Sequence, residues 1–177
     1  MGLVLVVTLL IALYGIYGGN LRFSSGPPQA GALPTADVIR TFTDARGEQQ
    51  ELGFPITVPQ HVPGSWHPNS ASITDPRVAG LSSIPTVRGG WILPDGSFVT
   101  LVESAGTVAQ VLVDEVGAAG PQKGTTTAGG ANWTVTTGVR TEVAWVRSDT
   151  VTTYLITGNA PPDAFTTLAQ SIAAPTG

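Results

Sequence analysis

Residues 86–102, TVRGGWILPDGSFVTLV, carry the reading on which the fold turns. A run rich in β-branched and aromatic residues, Thr86 to Leu93, meets Pro94-Asp95-Gly96 and resumes from Ser97 to Val102. Proline presets φ at the start of a turn and glycine tolerates positive φ further on, so the two runs predict strands joined as a hairpin. The period then changes. Val108, Val111, Leu112 and Val116 recur at i, i+3, i+4 and i+8, one face of a helix, with Thr107 as its cap and Gly117 as its stop.

Upstream, Asp37 is placed to cap a short helix running to about Ala45, with Val38 and Phe42 on one face. Phe54 to Val58 reads as an extended segment suited to a sheet edge, because of its proline. Trp66 to Thr74 follows as a strand broken early by Pro68. Downstream, Ala118 to Gly130 reads as a loop of small residues. Ala131 to Thr137, Thr141 to Arg147 and Thr150 to Thr157 then form a three-strand meander, its turns at Gly138 and Ser148-Asp149. Pro161-Pro162 opens a final helix in which Phe165, Leu168, Ala169 and Ile172 share a face. The order has the form of three strands and a helix twice over, without residue-level identity between the halves. Antiparallel hairpins with separately gathered helices predict the α+β class, an antiparallel sheet of about six strands covered by helices.

The first nineteen residues, MGLVLVVTLLIALYGIYGG, carry no charged side chain. As a helix, Leu3 to Gly18 would reach roughly 24 Å, somewhat short of the ~30 Å hydrocarbon core of a bilayer. Tyr14 and Tyr17 fall where an interfacial aromatic belt belongs, which makes them candidate interface residues. A cleaved signal peptide is the rival reading, but no Lys or Arg precedes the run, and Ala30-Gly31-Ala32, the matching cleavage pattern, lies well beyond it. The expected organisation is a transmembrane anchor over residues 1–19, a Pro/Gly-rich linker over 20–36 and an α+β domain over 37–177. Arg22 alone would hold that domain inside. A Thr- and Gly-rich chain with one lysine, Lys123, leans outward, toward a single-pass protein of the cell membrane with its domain on the extracytoplasmic side.

Composition removes whole classes of function. Without cysteine there are no disulfides, thiolate metal sites or cysteine nucleophile. A net charge of −4 with eight scattered basic residues offers no basic stripe for nucleic acid. Hydrophobic content of 42% is ample for a folded core.

No catalytic, cofactor-binding or metal-binding residues emerge from the motifs. Gly117 to Thr125 resembles a phosphate-binding loop but orders Lys123-Gly124-Thr125, where the motif needs Lys and Thr adjacent, and it follows a helix. His61 and His67, six apart with no third ligand evident, read as surface loop residues rather than a zinc pair. No strained serine elbow and no calcium loop is present. Glu48, Glu51 and Glu103 read most simply as solvated acids, and Asn132-Trp133-Thr134 matches the short glycosylation sequon. Of the four tryptophans, Trp91, Trp133 and Trp145 read as core, with Trp133 and Trp145 packed against the final helix. Trp66, in a Pro- and Gly-rich neighbourhood beside His67, is a candidate interface residue.

A resemblance rests on several pieces: Val58-Pro59, then Gly64-Ser65-Trp66-His67-Pro68-Asn69-Ser70-Ala71, then Leu93 through Ser104 (LPDGSFVTLVES), then Asn132-Trp133. Leu155 through Ala160 (LITGNA) and Phe165, Leu168, Ala169, Ser171 and Ile172 complete it. With the apolar N-terminus, the chain resembles a family of actinobacterial single-pass envelope proteins grouped as a domain of unknown function, whose members usually carry basic residues before the span. The resemblance implies an anchored, outward-facing domain and lends no catalytic residues. The order of elements is also similar to PsbP and Mog-type α+β sandwiches, an analogy of fold alone. The expectation is a non-catalytic accessory subunit of a larger envelope or respiratory membrane complex, its partners the membrane and an integral membrane assembly. The alternative is a tethered carrier of a lipid or other apolar ligand, which needs a cavity of ~300 Å³ or more.

Overall fold

Side-chain alternation and local turn chemistry generate the core of the molecule. The computed structural model describes residues 36–79, 82–118 and 120–173. Strands β1 (His67–Thr74), β2 (Thr86–Ile92) and β3 (Phe98–Ser104) form a meander, and β4 (Gly124–Ala128), β5 (Ala131–Thr137), β6 (Val143–Ser148) and β7 (Thr153–Gly158) form a second. They join as one antiparallel sheet in the order β1-β2-β3-β7-β6-β5-β4, so β3 and β7 pair at the centre and β1 and β4 are the edges. The β2–β3 hairpin closes as its turn residues require, with Gly96 donating its N–H to the Leu93 carbonyl at 2.9 Å. β1 slips register between Pro68 and Ser70, the irregularity that a residue without an N–H imposes and that an edge strand tolerates.

Among the described residues, five helical segments accompany the sheet: α1 (Val38–Gly47), α2 (Gln49–Leu52), α3 (Pro76–Ala79), α4 (Val108–Val116) and α5 (Pro162–Ser171). Asp37 caps α1 by accepting the Arg40 N–H at 3.0 Å, and Thr107 with Gln110 forms a reciprocal capping box on α4. The larger apolar layer lies on one face of the sheet, where α1 brings Val38 and Phe42 and α5 brings Phe165 and Leu168 against Trp91, Leu101, Trp133 and Ile156. α1 comes this close because β2 presents Gly89 beneath it, where a Cβ would strike Val38 and Phe42. The opposite face carries a smaller layer in which Val111, Leu112 and Val116 of α4 cover Val102, Val146 and Leu155. Trp133 and Trp145 lie in the larger layer, and the Trp145 ring meets Phe165 at 5.3 Å between centroids, as their strand alternation predicts.

The expected fold needs correction. The sheet has seven strands rather than about six, and helices pack on both of its faces. The segment from Ala118 to Gly130, read as a loop, contains β4, whose four Thr and Ala residues show no apolar alternation. Phe54 to Val58, read as an extended edge segment, takes no regular secondary structure and joins no strand of the sheet. Among the described residues no helix is long and apolar enough to cross a membrane, so the transmembrane helix of the expected fold is without structural support. The apolar run of residues 1–19, the linker and the candidate residues Tyr14 and Tyr17 lie outside the described residues. Those that are described fall within one compact unit, Pro34–Gly177.

The β4–β5 connection supplies a stringent test of this packing. Gly129 and Gly130 both take positive φ, 59° and 72°, the conformation of a two-residue hairpin turn whose twist matches that of its strands. Gly129 also sits against the end of α5, where an added Cβ would run into the Ala169 carbonyl oxygen. Gly129→Ala therefore combines a left-handed backbone penalty with a backbone collision, and should cost roughly 2–3 kcal/mol in urea unfolding. Gly130→Ala, with nothing near its Cβ position, should cost only the first of these.

Candidate functional site

β3 reads Phe98-Val99-Thr100-Leu101-Val102-Glu103-Ser104, and its period of two sends Val99, Leu101 and Glu103 to the same face. That face is the larger apolar layer, so the strand carries a carboxylate into the core. Glu103 lies opposite Tyr154 of β7, and Tyr154 lies opposite Arg147 of β6. An acid, a phenol and a guanidinium thus form one row across three adjacent strands. Glu103 is 0% exposed. Read as a solvated acid, it is the sequence expectation that the structure overturns most plainly.

Each member of the row is held by specific contacts. Glu103 Oε2 accepts the backbone N–H of Thr57 at 2.8 Å, tying segment 54–58 to the sheet. The Arg147 guanidinium lies 3.8 Å from the Tyr154 ring centroid and 5.1 Å from that of Trp133, a cation between two aromatic faces. Glu103 Oε1 and Arg147 Nε are both buried without hydrogen-bond partners. Burial pushes the Glu103 carboxyl up to about 8, while the Thr57 N–H and the Arg147 charge pull it back and Asp149 reinforces the rise. Burial also raises the Tyr154 phenol.

What this arrangement can do follows from its burial. A catalytic acid must touch its substrate, and Glu103 has no face open to one. Its visible work is to position Thr57 and, with it, the apolar side chains of Phe54, Ile56 and Val58, all of which are buried.

The residues singled out from sequence lie elsewhere. Trp66 is half-buried and meets Trp91 edge-on at 6.5 Å, so it caps the apolar layer beside β1. His67 is half-buried opposite Ile92 with a buried Nε2 that lacks a partner. His61 is exposed in a left-handed conformation, φ 57°. Among the described residues no group of three or more His, Asp or Glu is disposed to hold a metal ion. Sequence reasoning missed the row of Glu103, Tyr154 and Arg147, although the alternation Val99-Leu101-Glu103 was the signal that would have found its first member.

Open surface grooves also mark the described residues, one of about 280 Å³ lined in part by Thr134, Val146 and Arg147. A second, of about 560 Å³, runs beside α4 past Thr74, Arg88, Gln110 and Val113. Its arginine is already committed, pairing with Glu115 at 2.5 Å and donating to the Thr74 hydroxyl at 2.9 Å. A third, of about 580 Å³, lies among Phe98, Arg140, Glu142 and Asn159. There Asn159 Oδ1 accepts the Phe98 N–H at 2.8 Å and Arg140 Nε stands 3.6 Å from Glu142.

In comparison with known proteins, a family described as "Protein of unknown function (DUF4245)" matches residues 1–172. No curated protein and no solved structure matches the chain.

Proposed function

The chain belongs to the DUF4245 family, whose function is unknown, and on that premise we propose that it is a non-catalytic accessory protein of the cell envelope. In this reading its folded domain stands on the extracytoplasmic side of the membrane and docks onto a larger envelope or respiratory assembly. The observation that carries the proposal is the placement of its chemistry. Glu103 and Tyr154 are enclosed in the core, the half-buried Arg147 is stacked on Tyr154 and Trp133, and their visible contacts hold the chain together. Association with a membrane is supported by the uncharged apolar run from Leu3 to Gly18.

The carrier alternative finds less support. The space between sheet and helices that a carrier would keep for its ligand is occupied by Trp91, Trp133, Phe42, Phe165 and Leu168, all less than 3% exposed. Both readings meet in one experiment, a mild-detergent purification of the full chain from native membranes with mass spectrometry of proteins and lipids. Stoichiometric protein partners are the expected result. Recovery as a monomer with one bound lipid class would overturn the accessory reading in favour of the carrier.

A further inference from the structure

We propose that Glu103 is a proton-dependent latch: segment 54–58 stays closed over the sheet while the carboxyl is protonated, and ionisation favours lifting it. The cost of a buried anion outweighs the anion's stronger bond to the Thr57 N–H. The geometry is that of a fastening. Segment 54–58 contributes no strand to the sheet, and its direct tie to β3 is the 2.8 Å bond from the Thr57 N–H to Glu103 Oε2. Its other polar contacts are the Gln60 amide N–H to the Val58 carbonyl at 3.0 Å, the Thr57 side chain against the Tyr154 phenol, and two bonds at 3.4 Å, Ile56 N–H to Gln49 Oε1 and the Thr152 hydroxyl to the Pro55 carbonyl. The shortest of these ties is to a fully buried side chain that can change its charge.

The groups facing Glu103 set the balance. From β7 comes Tyr154, a buried phenol; from β6 comes Arg147; from the turn between them comes Asp149; from β2 comes the uncharged Val87. Arg147 is the one cation among them, and it is stacked on Tyr154 and Trp133 instead of hydrogen-bonded to the carboxylate. An ionised Glu103 would thus be a buried anion with one backbone donor and a counter-charge held at arm's length. Lifting segment 54–58 admits water to the carboxylate and removes that penalty.

Linkage gives the sign. Closed, the carboxyl titrates at about 8; open and solvated, it returns to its ordinary 4.5. The protonated form therefore favours the closed state. Opening is independent of pH below the lower value, grows by up to about tenfold per pH unit between the two, and levels off above the higher. Because opening also exposes Phe54, Ile56 and Val58, the open form stays a minority that exchange methods can count.

The test is native-state hydrogen exchange of the full chain between pH 5 and 8, followed amide by amide and expressed as protection relative to the unfolded peptide. Protection of the Thr57 amide should fall by close to tenfold per pH unit, while the Leu101 and Leu155 amides at the centre of the sheet remain better protected at every pH. In Glu103→Gln, which keeps an acceptor for Thr57 but cannot ionise, Thr57 protection should be flat. A wild-type Thr57 protection that ignores pH, the same slope in the glutamine variant, or Thr57 exchange no faster than that of Leu101 throughout would each overturn the latch.

Discussion

Glu103→Gln should make the protein more stable than the wild type at pH 9, by roughly 4 kcal/mol, and leave it nearly unchanged at pH 4. The expectation follows from where the carboxyl titrates in each state. In the folded chain it is pushed up to about 8, by burial above all; in the unfolded chain it returns to 4.5. An acid with a raised folded value contributes its full stability below the unfolded value and loses it as pH rises through the folded one. The interval, at about 1.4 kcal/mol per pH unit, is worth roughly 4–5 kcal/mol, a large share of the 5–15 kcal/mol that holds a typical domain. Glutamine preserves the shape and the acceptor for Thr57 while removing the proton equilibrium. Urea unfolding at pH 4, 6, 8 and 9 checks the claim. Wild-type stability should decline over that interval with the variant far flatter, and parallel curves for the two proteins would remove Glu103 as the cause.

This global measurement and the local one on segment 54–58 are separable. Any state that wets Glu103, whether a lifted segment or a fully unfolded chain, gains from alkaline conditions by the same linkage. Loss of the stability trend would undermine both. Survival of the trend with Thr57 exchanging no faster than the sheet centre would leave a buried acid without a latch.

The parts of the fold that were legible in the sequence share a local cause. The Pro94-Asp95-Gly96 turn, the Asp37 and Thr107 caps and the faces of α4 and α5 are all set by residues within a few positions of one another. What was not legible depends on partners distant in sequence. Nothing near β3 announces that its free edge is taken by β7, more than fifty residues later. β4 was hidden because Thr125, Thr126 and Thr127 have no apolar rhythm, yet the paired glycines after it were a hairpin signal read only as loop.

Glu103 shows how a default assumption outweighs a pattern. A glutamate is solvated in most settings, and that prior prevailed over the inward alternation of Val99 and Leu101. Only the structure supplies the Thr57 amide and the distant, stacked Arg147 that make a buried acid tolerable. Of the interface candidates, Trp66 packs at the margin of the apolar layer and His67 opens β1 half-buried.

Trp133→Ala should be the most damaging single truncation among the strand tryptophans. The Trp133 side chain is 0% exposed in the larger apolar layer, and removing a buried ring of that size costs roughly 3–5 kcal/mol. Two further contacts are lost with it. Its indole N–H donates to the Ala128 carbonyl at 3.1 Å, across the turn that joins β4 to β5. Its ring is also one of the two faces between which Arg147 is held. Alanine would leave a buried carbonyl without its donor and the guanidinium with one aromatic neighbour instead of two. For a domain of this size the melting temperature should fall on the order of 10 °C. Trp133→Phe separates the terms: it restores much of the apolar volume and one aromatic face but no N–H, and should recover more than half of the loss. The alanine variant also bears on Glu103, because freeing Arg147 from Trp133 lets its charge approach the carboxylate and favours the ionised form. The alkaline decline in stability should therefore be shallower in Trp133→Ala than in the wild type. A melting temperature unchanged by the truncation would mean that the larger apolar layer is not built around Trp133.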